Sequence, residues 1–261
     1  MRARRLICAL AVLCLTGAAP IQPPAPQASG TLSGWAAIVA SGDDHASHSD
    51  TLTETFDNAR RDVAAGFEAR GVAAGNVTQF SLRPERYPAQ RLQKSDIEPI
   101  FEALRDAAAR AQGGCLIYFT SHGSPRGIVV GDDLLPPKRM AELIDRACAG
   151  RPTAVILSAC FSGVFTPRLR GPDRFILTAA KANRSSFGCG ESDKYPFFDG
   201  CVIENLPASS DFIDLAARVQ GCVARREDEQ GMRPRSEPQL FVGADFRAAA
   251  PPFAAASARP P

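Results

Sequence analysis

The chain has 261 residues, 45% of them hydrophobic and 22% charged, and a formal net charge of only +2. That composition suits one sizeable globular domain with a full core. No tract is basic enough to argue for nucleic acid, and neither a phosphate-binding glycine loop nor a Gly-x-Ser-x-Gly elbow occurs.

The chain begins MRARRLICALAVLCLTGAAP, with basic Arg2, Arg4 and Arg5 ahead of an apolar run and small residues up to Ala19. This is the layout of a secretory signal over residues 1–19, and the run is too short for a comfortable membrane span. An exported protein, periplasmic or secreted, is therefore expected, with no stable membrane span once the signal is removed; an uncleaved anchor and a lipid-modified Cys14 are the alternatives. Residues 20–33, rich in Pro, Gln and Ala, read as a disordered tether, and 248–261 as a similar tail. The folded unit is expected over 34–247.

WAAIVA (35–40) reads as a fully buried strand, followed by a polar loop. Thr51 and Glu54 have capping-box spacing, and Leu52, Phe56, Ala59, Val63 and Phe67 then fall on one helical face. VTQFSL (77–82) is a second strand. Ser95 and Glu98 form another capping-box pair before a helix with Ile97, Ile100, Phe101 and Leu104 inward. A strand ending at Phe119 follows, then a short hairpin over 128–135 and a helix from Pro137. TAVILS (153–158) and RFILTAA (174–180) are further strands. A long loop over 181–210, of a length that suits a lid or processing site, leads to a helix over 211–225 and a last strand near QLFVG. Apolar strands alternating with helices predict an α/β fold with a mostly parallel sheet covered on both faces.

Two of these strands end in the same way. CLIYFT runs into Ser121-His122-Gly123, and VILSA runs into Cys160-Phe161-Ser162-Gly163. A hairpin and one helix lie between them, enough chain for a crossover that brings the second strand back parallel to the first. Neighbouring strands would then set a thiol and an imidazole at one sheet edge, where reactive groups of such sheets gather. An imidazole beside a thiol raises its thiolate fraction and protonates a leaving amine, and the N–H groups of Gly123 and Cys160 are candidates to face an oxyanion. The competing reading is a core cysteine and a turn histidine that never meet.

At this point the chain resembles the legumain family of cysteine peptidases, within the group that shares the caspase-like fold. The resemblance runs from Trp35 to about Cys201 and rests on WAAIVASG, IYFTSHGSPRGI, VILSACFSG and LTAAKANRSSFGC. It implies a three-layer caspase-like sandwich, a polypeptide substrate, His122 as general base and acid, Cys160 as nucleophile, and Gly123 with Cys160 as oxyanion site. It also implies substrate-binding roles for Ser158, which stands where asparaginyl members carry an acid, and for Ser185. Asp199 is placed near a pocket aspartate of the family, and Ser47-His48 is the nearest match to its Arg-His pair. Both charges of that pocket are thus replaced, which predicts a preference not restricted to asparagine; if Asp199 or Asp44 points in, a basic P1 residue follows. His45 lies near the place of a third polar group that orients the imidazole, and reads more simply as a solvated loop histidine.

The resemblance implies a cysteine endopeptidase acting through a thioester. The alternatives are a ligase or transpeptidase of the same fold, in which an amine resolves the thioester, and a catalytically silent peptide-binding module. No metal or cofactor is expected, because His45, His48 and His122 lack an adequate carboxylate and cysteine constellation. Beyond the signal, Cys189–Cys201 and, less strongly, Cys148–Cys222 are expected to bridge, while Cys115 reads as a small core hydrophobe.

Overall fold

The computed structural model describes residues 31–47 and 49–255. The expected signal at 1–19, positions 20–30 of the expected tether, residues 256–261 and His48 lie outside the described residues.

The elements in chain order are β1 (Trp35–Ser41), α1 (Thr55–Ala69), β2 (Val77–Ser81), β3 (Leu92–Lys94), α2 (Ile97–Arg110) and β4 (Gly114–Thr120). The small strands β5 (Gly123–Ser124), β6 (Gly127–Val130) and β7 (Asp133–Leu135) follow, then α3 (Pro137–Cys148), β8 (Thr153–Ser158), α4 (Thr166–Leu169) and β9 (Arg174–Thr178). The chain continues through α5 (Phe197–Asn205), α6 (Phe212–Glu229), β10 (Gln239–Val242) and α7 (Ala244–Ala249).

Seven strands form one sheet in the order β10-β9-β8-β4-β1-β2-β3. All neighbours run parallel except β10, which pairs antiparallel with β9 at one edge. β5, β6 and β7 make a separate antiparallel ribbon within the β4-to-β8 crossover. Every residue of β1, β4, β8 and β9 is buried, because helices cover both faces of the sheet. Leu116, Tyr118, Ala154 and Ile156 pack with α1, α5 and α6 on one side; Cys115, Ile117, Val155 and Leu157 pack with α2 and α3 on the other. The α/β sandwich read from the alternating elements is the observed architecture.

Several boundaries differ from the expectations. α1 starts at Thr55, not near Thr51: the Thr53 hydroxyl accepts the Thr55 N–H at 3.2 Å, and Leu52 is 51% exposed instead of facing inward. Nor does Ser95 cap α2; its hydroxyl donates to the Ser41 carbonyl at 2.6 Å. The expected long loop contains α5. Both ends of the folded unit extend past the expected limits. Leu32 is buried in the core, and Phe253 packs edge-on against Phe212 while its N–H donates to the Ser210 carbonyl at 2.8 Å. One buried aromatic side chain supplies roughly 1.5 to 3 kcal/mol, which offsets the ordering of the short segment that carries it.

The disulfides are also rearranged. Cys115 bonds Cys148 and Cys201 bonds Cys222, leaving Cys160 and Cys189 as free thiols among the described residues. Cys115 faces the layer where α3 packs, and α5 lies against α6. The pairing therefore follows helix packing, which cysteine spacing does not encode.

Candidate active site

β4 and β8 are adjacent, parallel and in register, with Thr120 opposite Ser158. The Ser121 N–H still donates to the Ser158 carbonyl at 3.0 Å. His122 and Cys160 each stand two residues beyond that last pair, so they leave the sheet at the same edge. Both line one cleft of about 1020 Å³. The juxtaposition expected from the two strand ends is present.

The histidine is held by its surroundings. His122 Nε2 lies 3.0 Å from the backbone carbonyl of His45, and Phe56 packs edge-on against the ring with centroids 5.1 Å apart. A carbonyl only accepts, so Nε2 carries the proton in this arrangement and Nδ1 is left as the basic nitrogen. The orienting group is thus a main-chain oxygen. The His45 side chain is half exposed and turns to the carboxylates of Asp43 and Asp44, with Nδ1 at 3.3 and 3.1 Å.

Cys160 sits on a tight turn. Phe161, which follows it, has φ of +58°, a left-handed conformation that a non-glycine residue adopts at some cost. Its N–H donates to the Arg184 carbonyl at 2.8 Å, and two residues on the Gly163 N–H donates to Ala180 at 2.8 Å, so the turn is fastened to the segment after β9. The sulfur is half-buried, and Ser186 N–H donates to it at 3.2 Å.

Gly123 is placed by the neighbouring ribbon. Val129 N–H donates to the His122 carbonyl at 3.0 Å, which makes 122 and 129 a hydrogen-bonded pair and Gly123 with Ile128 the alternate pair. In the alternate pair the N–H groups point out of the ladder. The Gly123 N–H is therefore free of the ladder. A Cβ at this position would stand 2.3 Å from the Cys160 carbonyl oxygen, so only glycine allows this approach.

The expected pocket residues divide. Ser185 lines the cleft beside Cys160, as expected. Ser158 and Asp199 do not. Ser158 is 2% exposed and Asp199 fully buried, one rung below His122 and Cys160. Asp199 Oδ2 accepts from the Ser158 hydroxyl at 2.5 Å and from Thr120 at 3.1 Å, while Oδ1 accepts from Tyr118 at 2.5 Å. α5 carries Asp199 against the sheet from the α6 side, so the carboxylate is satisfied internally and faces no substrate. Burial pushes its pKa up to about 6, although the three hydroxyl donors pull the other way. Asp44 is also engaged elsewhere, with Arg83 Nε at 3.1 Å. His48 lies outside the described residues.

The cleft instead uses residues with no sequence signature. Loop 43–50 is tied to loop 185–193: Ser47 N–H donates to the Cys189 carbonyl at 2.8 Å and the Ser47 hydroxyl meets the Cys189 sulfur at 2.9 Å. Thr55 Oγ1 donates to the Asp193 carbonyl at 2.5 Å. Asp43, Asp50 and Asp193 come to the cleft with these loops. Asp43, Asp44 and His45 offer ligand atoms within 4.8 Å of one another, but the pairs just described already use them.

Residues 107–211 match the model of the Peptidase C13 family, the legumain family. The crystal structure of caspase-1 from Spodoptera frugiperda is similar in fold, with a TM-score of 0.59 and 17% identity over 86% of this chain and 93% of that one. No curated protein is matched by the chain. Family match and fold together indicate a cysteine peptidase. Over residues 107–211, the stretch that holds both His122 and Cys160, the chain matches the Peptidase C13 family, and it carries that match on a caspase-like fold.

Proposed function

We propose that the protein is a cysteine endopeptidase in which Cys160 is the nucleophile and His122 the general base and acid. The observation that carries this is the common register of β4 and β8, which delivers both side chains to one open cleft with His122 oriented by the His45 carbonyl. His122 Nδ1 takes the thiol proton as sulfur attacks the scissile carbonyl carbon. The carbon–sulfur bond forms, and the oxyanion is met by the N–H groups of Gly123 and Cys160. The imidazolium then protonates the amine as the carbon–nitrogen bond breaks, and a water activated by the same ring hydrolyses the thioester. Each oxyanion donor in such a site is worth about 3 to 4 kcal/mol in the transition state.

Neither Ser158 nor Asp199 offers its polar group to the cleft, which supports a P1 preference not restricted to asparagine. The two disulfides support export to an oxidising compartment, as the basic and apolar leader does. No helix among the described residues is long and apolar enough to cross a membrane.

A peptidyl acyloxymethyl ketone tests the assignment. It should label Cys160 in the folded protein, with Cys160→Ala losing both label and peptide hydrolysis. A Cys160 that stays inert while Cys189 or the unfolded chain reacts would favour the silent binding module.

A further inference from the structure

The cleft around Cys160 has a one-sided charge. Three carboxylates line it, those of Asp43, Asp50 and Asp193, and no lysine or arginine does so among the described residues. These acids are not brought by a single loop: Asp43 and Asp50 precede α1, and Asp193 precedes α5. The stitches from Ser47 to Cys189 and from Thr55 to Asp193 hold the two loops as one wall.

We infer that this wall selects a cationic side chain, and that the peptidase cleaves after arginine or lysine, with Asp193 as the main specificity-determining residue and Asp50 as its support. The inference rests on the proposed peptidase function and deepens it by naming the substrate class. Asp193 is the stronger candidate because its position is fixed. Its Oδ2 accepts the Gly190 N–H at 2.7 Å, which sets the carboxylate at the turn of the loop that also holds Ser186 against the Cys160 sulfur. Cys160, Cys189 and Asp193 all line the same cleft. Asp50 is exposed at the opposite loop, where a long basic side chain can reach it. The other acids in or near the cleft are already engaged, Asp43 with the His45 ring and the N–H groups of Asp44 and His45, Asp44 with His45 and Arg83, and Asp199 with three hydroxyls. A guanidinium matches a carboxylate with two parallel hydrogen bonds, whereas an asparagine carboxamide would bring its own acceptor oxygen against negative charge.

The test uses N-blocked tripeptide coumarylamides differing only at P1. For the wild-type chain, kcat/KM with Arg or Lys should exceed that with Asn or Leu by at least about tenfold, and added salt should narrow the gap. Asp193→Asn keeps an acceptor for Gly190 while removing the charge. It should cut the Arg-to-Leu ratio about tenfold, with Asp50→Asn giving a smaller cut and the double variant the largest. A preference for Asn or Leu, or an Arg preference that survives in the double variant, overturns the inference. If no substrate turns over, the peptidase reading fails by itself, and the charge reading is judged by alkylation of Cys160 with iodoacetamide. Protection by benzamidine that weakens in the double variant supports a cation site, and equal rates with and without benzamidine overturn it.

Discussion

β4 and β8 carry two polar constellations that stand two residues apart and meet opposite fates. At Tyr118, Thr120 and Ser158 the hydroxyls converge on Asp199 in a fully buried cluster. At His122 and Cys160, just past the ends of the same strands, the side chains open on a cleft. Both sets issue from the same two strand ends, so the strands themselves do not separate them. Cover does. α5 closes over the lower rung, while the loops 43–50 and 185–193 border the upper one without filling it. The sheet places polar groups, and the helix or loop above them decides whether those groups stabilise the fold or meet a substrate.

The largest break in this comparison is expected at the upper rung. His122→Ala should lower kcat/KM by about 10³-fold or more, as loss of a general acid and base does. The midpoint of urea unfolding should stay near wild type, since the ring is half exposed. A comparable fall in stability would mean that His122 belongs with the structural rung below it.

Gly123→Ala comes next. The added methyl would have to displace the Cys160 carbonyl, 2.3 Å away, and the Ala159 Cβ, 2.9 Å away. Movement there shifts the proposed nucleophile and oxyanion donor together, so a loss of about 10²-fold in kcat with little change in KM is expected. A change confined to KM would place the Gly123 N–H outside the oxyanion site.

The upper rung was the legible one. Two apolar strands each ending in a small polar motif, with a crossover between them, are features of neighbouring residues, and they correctly predict the shared edge and cleft. The lower rung was not legible. Phe197 to Val202 are all buried, so α5 shows no one-sided apolar stripe and reads as loop. Without that helix nothing indicates that Asp199 turns inward or that Ser158 answers it. The His45 carbonyl is a main-chain atom, which leaves no mark on residue choice. Leu32 and Phe253 were hidden by the proline- and alanine-rich company they keep; a single apolar side chain can anchor a segment whose average composition looks solvated. Cys115 with Cys148 and Cys201 with Cys222 bond because whole elements pack, a relation carried by the fold and not by spacing.

At the lower rung the effect should appear in stability. Asp199 has its carboxyl raised from 3.8 to about 6 in the folded chain. The folded state therefore holds this proton more tightly than the unfolded one. Its contribution is present at acid pH and is lost as pH rises from about 4 to about 6, amounting to about 3 kcal/mol over that window. Asp199→Asn removes the titrating group, so the difference between wild-type and variant unfolding free energies should change across that window and level off above it. A pH-independent difference would mean that the carboxyl is not desolvated in solution.

The smallest expected effect discriminates most finely. Ser158 is a pocket residue in the family resemblance and a buried donor in the structure. In Ser158→Ala the carboxylate of Asp199 keeps the donors Tyr118 and Thr120 and loses one hydroxyl, a change worth about 1 kcal/mol. Because the lost bond favours the charged form, its removal raises the Asp199 pKa further. The variant should be less stable than wild type near pH 7.5 and nearly equal to it near pH 4.5, where the carboxyl is protonated in both. Its relative kcat/KM for Arg, Asn and Leu at P1 should match wild type. Were Ser158 instead to face the substrate, the pattern would invert, with the P1 ratios moving and the unfolding curves coinciding at both pH values. A single hydroxyl thus reports whether the border between scaffold and cleft runs above Ser158 or below it.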